Sequence, residues 1–255
     1  VHNSDIWLSE YMLRCSKPAN LPCILHVRAP VSRRMVRTYR FSRATALVAI
    51  SKRVEVRLAA IGGIPREKIV LIHDAVDRQL FTSRGDSSAP GVLATQYAVG
   101  DRVAVGVVGR VEKTKEQLAF VRIAKEVLAR TDNAVFFIIG EEKDRAYCRR
   151  IARFLRDNGL EDRVHFTGRR EDIGDVLANL DILVSLTGGS VRYEGMMAGL
   201  AVVCAWSRTA EESYHIRHNE TGFLISERKI EPVTRVLVDL IADRALRERV
   251  GRSAQ

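Results

Sequence analysis

Short apolar runs rich in Val and Ile recur along the chain at Ala46–Ile50, Ile69–Ile72, Val103–Val108, Ala134–Ile139, Val164–Thr167, Asp181–Leu186 and Leu200–Cys204. They lack the strict alternation of a strand with one wet face. Continuous runs of this kind suit strands covered on both sides, as in parallel sheets. Between them the period lengthens to that of amphipathic helices over Lys52–Ile61, Glu116–Ala129, Asp144–Asn158, Asp172–Ala178 and Ser190–Ala198. Strands alternating with helices imply right-handed crossovers and a doubly wound α/β fold. Local punctuation agrees. Ser51 is placed to cap the helix that follows it, Gly62-Gly63 to end that helix, and Pro65 comes next.

The pattern breaks over Thr82–Gly100, where Ser83, Gly85, Ser87, Ser88, Pro90 and Gly91 leave no strong period. This stretch predicts a linker, and the chain divides near residue 95. Residues 1–95 then form a partial first Rossmann-like domain with its linker. Residues 96–255 form a second one, with a complete unit through about Ile225 and one or two amphipathic helices over Glu231–Val250. The sequence opens on Val1 within a strand-loop pattern, so the first domain is expected to be a fragment.

At 255 residues and 46% apolar content, two such cores can form. The net charge of +10 favours anionic partners such as phosphates, acidic lipid surfaces or nucleic acid. The arginines at 33, 34, 37 and 40 and at 149, 150, 153 and 156 read as solvated helix faces, and no nucleic-acid motif accompanies them. Nucleic acid is therefore not expected as a partner. No run approaches the roughly 20 apolar residues of a membrane span. Cys15, Cys23, Cys148 and Cys204 lack CxxC spacing, which argues against zinc or redox pairing and for a reducing, cytoplasmic setting. His215 and His218 have HxxH spacing without a third ligand, so no metal site is expected.

Two segments carry chemistry. The first is Gly106-Val107-Val108-Gly109-Arg110, at the end of an apolar strand and shortly before a helix. Glycines there let backbone approach a phosphate, and a helix start offers N–H donors. Arg110, Lys113 and Lys115 add the cations of a diphosphate clamp that needs no metal. Taken alone, the glycines fit an ordinary turn equally well. The spacing is neither a Walker motif nor a clean GxGxxG, which disfavours a dinucleotide oxidoreductase. The second segment runs from Gly188-Gly189-Ser190-Val191 through Glu194 to Gly195-Met196-Met197-Ala198-Gly199. A glutamate one turn inside that helix can accept two hydrogen bonds from a ribose diol, and the amides of Gly189, Ser190 and Val191 can face a phosphate. A surface glutamate is the plain alternative. Small residues at 195, 198 and 199 suit close packing of helix on sheet.

Several ordered motifs resemble the retaining GT-B glycosyltransferases of family 4, the glycosyl transferases group 1. Gly109-Arg110 with Lys115 resembles the donor-phosphate GR-x-x-x-x-K. Glu194-Gly195-Met196-Met197-Ala198-Gly199-Leu200-Ala201-Val202-Val203 resembles EAMAAGLPVV. Arg163-Val164-His165-Phe166-Thr167-Gly168 resembles RVxFxG, and Glu220-Thr221-Gly222-Phe223-Leu224 resembles exTGfL. Ile50-Ser51-Lys52, Lys68–Asp77 and Phe81 resemble vSe…KivvIpNGVDxxxF. The resemblance implies a GT-B fold of two Rossmann-like domains with parallel sheets, the first one partial. It further implies transfer of a hexose, with retention and without a cofactor or metal, from a UDP- or GDP-sugar to a glycan or lipid-linked acceptor held between the domains.

Carried over by position, Arg110 and Lys115 would act on the diphosphate, and Glu194 on the ribose. Gly109, Gly189, Ser190 and Val191 would bind the donor, with Gly168 near the base. The expected partners are the nucleotide sugar, the acceptor and, through the basic surface, the inner face of an anionic membrane. The chain departs from the pattern at Leu186, where the family has a sugar-contacting glutamate, and at Leu25-His26-Val27-Arg28, where Arg28 stands for the histidine of TxHD. Those departures keep a second reading open, a non-catalytic relative that binds nucleotide or a partner protein.

Overall fold

The computed structural model describes residues 1–3, 5–29, 31–77, 81, 91–97, 99–206 and 216–255. It divides the chain into two units between Ala75 and Val76. The first holds strands β1 (His2–Asn3), β2 (Ile24–Val27), β3 (Ala46–Ala49) and β4 (Ile69–Leu71), all parallel and ordered 1-2-3-4. Helices α1 (Ser9–Ser16), α2 (Arg33–Thr38) and α3 (Lys52–Ala60) connect them. Leu25, Val27, Leu47, Ala49, Phe41, Val54 and Leu58 form the core. Ser51 caps α3 as expected, its hydroxyl accepting from the Val54 amide at 3.3 Å.

The second unit holds β5 (Val103–Val108), β6 (Ala134–Ile139), β7 (Val164–Gly168), β8 (Ile182–Ser185), β9 (Ala201–Ala205) and β10 (Phe223–Ile225). They form one parallel sheet ordered 10-9-8-5-6-7. Its helices are α4 (Val92–Gln96), α5 (Gln117–Leu128), α6 (Arg145–Asp157), α7 (Ile173–Ala178), α8 (Val191–Met197), α9 (Ile230–Ala242) and α10 (Arg244–Ala254). Successive strand residues enter opposite cores, because side chains alternate across a sheet. Val105, Phe136 and Ile138 join the core containing Phe120, Ile151 and Leu237, from α5, α6 and α9. Ala104, Val135, Phe137 and Ile139 join the other, with Val176, Leu177 and Met196 from α7 and α8. Both faces of the sheet are dry, which is why the strands read as unbroken apolar runs. The tail forms two helices, α9 and α10.

The unit boundary lies about twenty residues before the position expected near residue 95. Phe81, Leu93 and Val99 are buried in the second unit's core, which puts the boundary before them. These anchors are too sparse to set a period in the sequence. The rest of the expected linker, residues 82–90, lies outside the described residues.

One glycine sets how closely α8 approaches the sheet. A Cβ on Gly195 would lie 2.4 Å from Leu183 Cδ2 and 3.3 Å from Val202 Cγ2. Gly195→Ala would gain helix propensity worth about 1 kcal/mol. Overpacking costs about 1–3 kcal/mol and pushes the other way. We expect the variant to be net destabilised in urea unfolding. Equal or greater stability would show that α8 does not rest on β8.

Candidate functional site

The strand order reverses at β5. The chain leaves it toward β6 and β7, then returns on its other side through β8, β9 and β10. In a parallel sheet the carboxyl ends share one edge, and the connections diverge at the reversal, leaving a crevice outside those ends. The register Val105↔Ile182 and Gly106↔Leu183 brings the segment after Val108 beside the segment after Ser185. The two segments singled out by sequence therefore meet at the switch point.

After β5, the Gly109 amide donates to the Ile139 carbonyl at 2.9 Å, and the Val111 amide to Glu141 at 2.8 Å. A Cβ on Gly140 would lie 2.2 Å from the Gly109 carbonyl oxygen, so only glycine permits this approach of two strand ends. Gln117, buried at the start of α5, donates from Nε2 to the Arg110 carbonyl at 2.9 Å and the Gly109 carbonyl at 3.4 Å. The Leu118 amide donates to the Tyr147 hydroxyl at 2.8 Å. A glutamine and a tyrosine thus hold the loop and the helix start, and neither stood out in the sequence. Both are single polar residues on otherwise apolar helix faces.

Arg110 extends half-exposed from this loop, with Glu112 Oε1 at 3.4 Å from its Nη2. Lys115 is half-buried, and its methylene stem lies within 3.8 Å of where a Gly109 Cβ would stand. Among the described residues, no carboxylate pairs with its ammonium. The loop after β8 carries Gly188 at φ +71° and Gly189 at φ +109°, both in the region that favours glycine. Exposed Ser190 precedes α8, half-buried Val191 opens it, and Glu194 sits in its first turn. The Ser190 hydroxyl donates to Glu194 Oε1 at 3.3 Å. Burial holds the Glu194 carboxyl above its ordinary range, and the Ser190 hydrogen bond opposes that rise. Gly168 ends β7, where its carbonyl accepts from the Gly140 amide at 2.9 Å. It flanks the switch point two strands from β5, at roughly 10 Å by strand spacing.

Leu186 is buried in the core on the α5 face, so the position of the family's glutamate is filled by packing. In the first unit, exposed Arg28 follows β2, and its guanidinium pairs with Asp74 at 3.2 Å. His26 stacks on His2 at 5.6 Å, and burial with the nearby Arg28 charge lowers its pKa. His218 Nδ1 accepts from the Leu224 amide at 3.1 Å and so clips β10. His215, Glu211 and Glu212 lie outside the described residues. Among the described residues, no three His, Cys, Asp or Glu side chains are grouped to hold a metal ion. A polar cavity lined by Arg102, Asp181, Arg244 and Arg247 lies at the opposite, amino edge of the sheet.

Two α/β units with parallel sheets, one with cations and a glycine-opened helix at its switch point, define the GT-B class of fold. The family model for glycosyl transferases group 1 matches residues 102–243, more than half of the chain, and the chain belongs to that family. A GDP-mannose-dependent alpha-(1-6)-phosphatidylinositol monomannoside mannosyltransferase of Mycobacterium tuberculosis is 27% identical over 229 residues, covering 84% of this chain and 57% of its own length. The chain thus spans little more than half of that relative. The crystal structure of Anabaena HepE in complex with UDP and glucose matches all of the chain and 71% of its own, at TM-score 0.87 and 20% identity. The C-terminal domain of a group 1 glycosyl transferase, LpcC of Francisella tularensis, covers 71% of this chain and 94% of its own, at TM-score 0.61 and 23% identity.

The raised pKa of Glu194 makes a signed prediction. The folded chain holds this proton more tightly than the unfolded chain, whose value is near 4.5. The contribution to stability is full below that value and is lost as pH rises through the folded pKa. Glu194→Gln keeps the shape and removes the charge, so its thermal midpoint should exceed wild type at pH 8, with the gain shrinking toward pH 4. A gain independent of pH would show that burial does not control this carboxyl.

Proposed function

We propose that the protein transfers a hexose from a UDP- or GDP-sugar to a glycan or lipid-linked acceptor, and that its second unit binds the donor. The observation that carries this reading is the meeting at one switch point of Arg110 and Lys115, the latter without a carboxylate partner among the described residues, with Gly189 and Glu194, in a chain of this family. Two cations beside glycine-lined backbone suit a diphosphate. Charge grows on that diphosphate as the bond from the anomeric carbon to the leaving oxygen breaks. Fixed cations that face it stabilise the transition state more than the ground state. Glu194, in the first turn of α8, offers two acceptor oxygens to a ribose diol, and Gly168 lies on the flank where the base would rest. Gly109, lacking a side chain, lets the donor approach the loop, and Ser190 and Val191 offer hydroxyl and backbone groups to it. Retention at the anomeric carbon and independence from metal belong to the same proposal, through the family resemblance. The mannosyltransferase relative and the UDP-bound HepE structure set the donors to try first.

Calorimetric titration with UDP-glucose and GDP-mannose tests the reading. Arg110→Ala and Lys115→Ala should each weaken binding of the matching diphosphate by roughly 1.5–3 kcal/mol, or about tenfold or more. Both side chains reach solvent, so the fold should survive. Unchanged affinity in both variants would remove the clamp, and no binding by wild type would remove the donor site.

A peripheral contact with an anionic membrane is part of the proposal. It is supported by the net charge of +10 and by an aromatic and basic patch on the first unit. Trp7, Leu8 and Tyr11 are 61%, 53% and 68% exposed. Arg14 and Arg40 lie beside them on Glu10, at 2.8 and 3.6 Å. Each cation near such a surface contributes about 1 kcal/mol. The chain should co-sediment with phosphatidylserine vesicles at low salt and be released by high salt. A supernatant that keeps the protein at low salt would refute the contact.

A further inference from the structure

Arg192 stands apart from the other arginines. It is the second residue of α8, beside the loop after β8, and only 8% of it is exposed. Its guanidinium lies over the Tyr193 ring at 4.9 Å, and Nη2 donates to the Tyr193 hydroxyl at 3.2 Å. It also reaches buried Cys204 near the end of β9, where its charge and a hydrogen bond oppose the rise of the thiol pKa that burial causes. A Cβ on Gly188 would stand 3.7 Å from Nη1, so the glycine leaves that nitrogen without a side chain above it. Nε is buried and has no hydrogen-bond partner among the described residues.

A guanidinium has five N–H donors in a planar fork and is always charged. The described residues offer it one hydroxyl and one thiol, the latter a weak acceptor. No carboxylate among the described residues pairs with it, although burying a charge is costly unless the charge is paired and hydrogen-bonded. An ordinary structural arginine satisfies its fork with carbonyls or carboxylates, as Arg163 does with the Ala134 and Asp132 carbonyls. Arg192 instead lies under-satisfied at the carboxyl edge of β8 and β9, next to the proposed donor site. A fork in that condition is preorganised for two oxygens of one oxyanion.

We propose that Arg192 is a binding residue of the donor site, its guanidinium recognising an oxyanion of the donor. The inference rests on the donor-site reading given above. Two groups of a nucleotide sugar carry that chemistry: the diphosphate, and a carboxylate on an acidic hexose. Neutral hexoses carry it only in the diphosphate. Leu186, buried on the opposite core, puts no competing carboxylate at the end of β8.

The test is calorimetry on the full chain with Arg192→Gln and Arg192→Lys. The ligands are UDP and GDP, the neutral conjugates UDP-glucose and GDP-mannose, and the acidic conjugates UDP-glucuronate and GDP-mannuronate. Thermal midpoints of the unliganded proteins are read beside them. Arg192→Gln should bind at least one ligand tenfold or more weakly, with an unliganded midpoint equal to or above wild type. A loss shared by the diphosphates and all conjugates assigns the guanidinium to the diphosphate. A loss confined to the acidic conjugates assigns it to the sugar carboxylate. Arg192→Lys keeps the charge without the fork and should restore part of the affinity. Affinities unchanged in both variants overturn the proposal, as does a fall in the unliganded midpoint with no ligand-specific change, which would mark a structural arginine. Wild-type protein that binds none of the six overturns the donor-site reading, and this proposal with it.

Discussion

The meeting of the two loops that carry most of the donor-site groups depends on the parallel pairing of β5 with β8. Among the described strands, it is the one pairing of strands not consecutive in the chain, since β6 and β7 have already been laid on the other side of β5. It places two loops separated by some eighty residues next to each other. Because the sheet is parallel, both loops leave from the same edge. A single antiparallel strand in place of β8 would send Gly188, Gly189 and Glu194 to the opposite edge. Dry faces on both sides stabilise the pairing, with Ile182 and Val184 entering one core and Leu183 the other.

The same edge collects groups that folding alone does not favour. Lys115 has no carboxylate partner among the described residues, Glu194 is held above its ordinary pKa by burial, and Arg192 leaves Nε without an acceptor. Several cations elsewhere are matched: Arg130 and Arg235 share Glu231, Arg244 and Arg252 share Glu248, and Arg170 pairs with Asp172. A lysine without a carboxylate among the described residues, beside a buried and only partly satisfied guanidinium, suits a site that an anionic ligand completes. Real proteins relax the rules of good packing at functional sites and satisfy them elsewhere.

The second unit was largely legible in the sequence because burial on both faces removes the polar interruptions that make a strand ambiguous. The run Ala134–Ile139 became β6 without a change of boundary. Strand β2 was not read as a strand, because exposed Ile24 and polar His26 break its run. The units divide before residue 95 for the converse reason: Phe81, Leu93 and Val99 are buried in the second unit's core but too sparse to set a period in a sequence that reads as linker. At the site, Gly109, Gly189 and Glu194 were visible because glycines near strand ends and one glutamate after them are unusual. Gln117, Tyr147 and Arg192 were not. A polar residue on an amphipathic helix has the same signature whether it faces water or holds a loop, and only the packed structure separates the two.

The buried arginine and the buried leucine at the end of β8 bear on one question, what the site asks of its donor. A glutamate at position 186 would bring an acceptor-only group toward hydroxyls of a neutral sugar. Leu186 instead contributes to the α5-side core, and a guanidinium lies beside Gly188 on the α8 side. Exchanging an acceptor for a donor changes the complementary ligand from one rich in hydroxyl donors to one rich in oxygen acceptors. The exchange also changes the source of discrimination. Acceptors of a carboxylate can be satisfied by water at modest loss, whereas a buried fork left without its oxyanion carries the desolvation cost into every mismatched complex. Discrimination at this edge would then come from what the wrong donor fails to neutralise, which is a stronger filter than the loss of one hydroxyl contact.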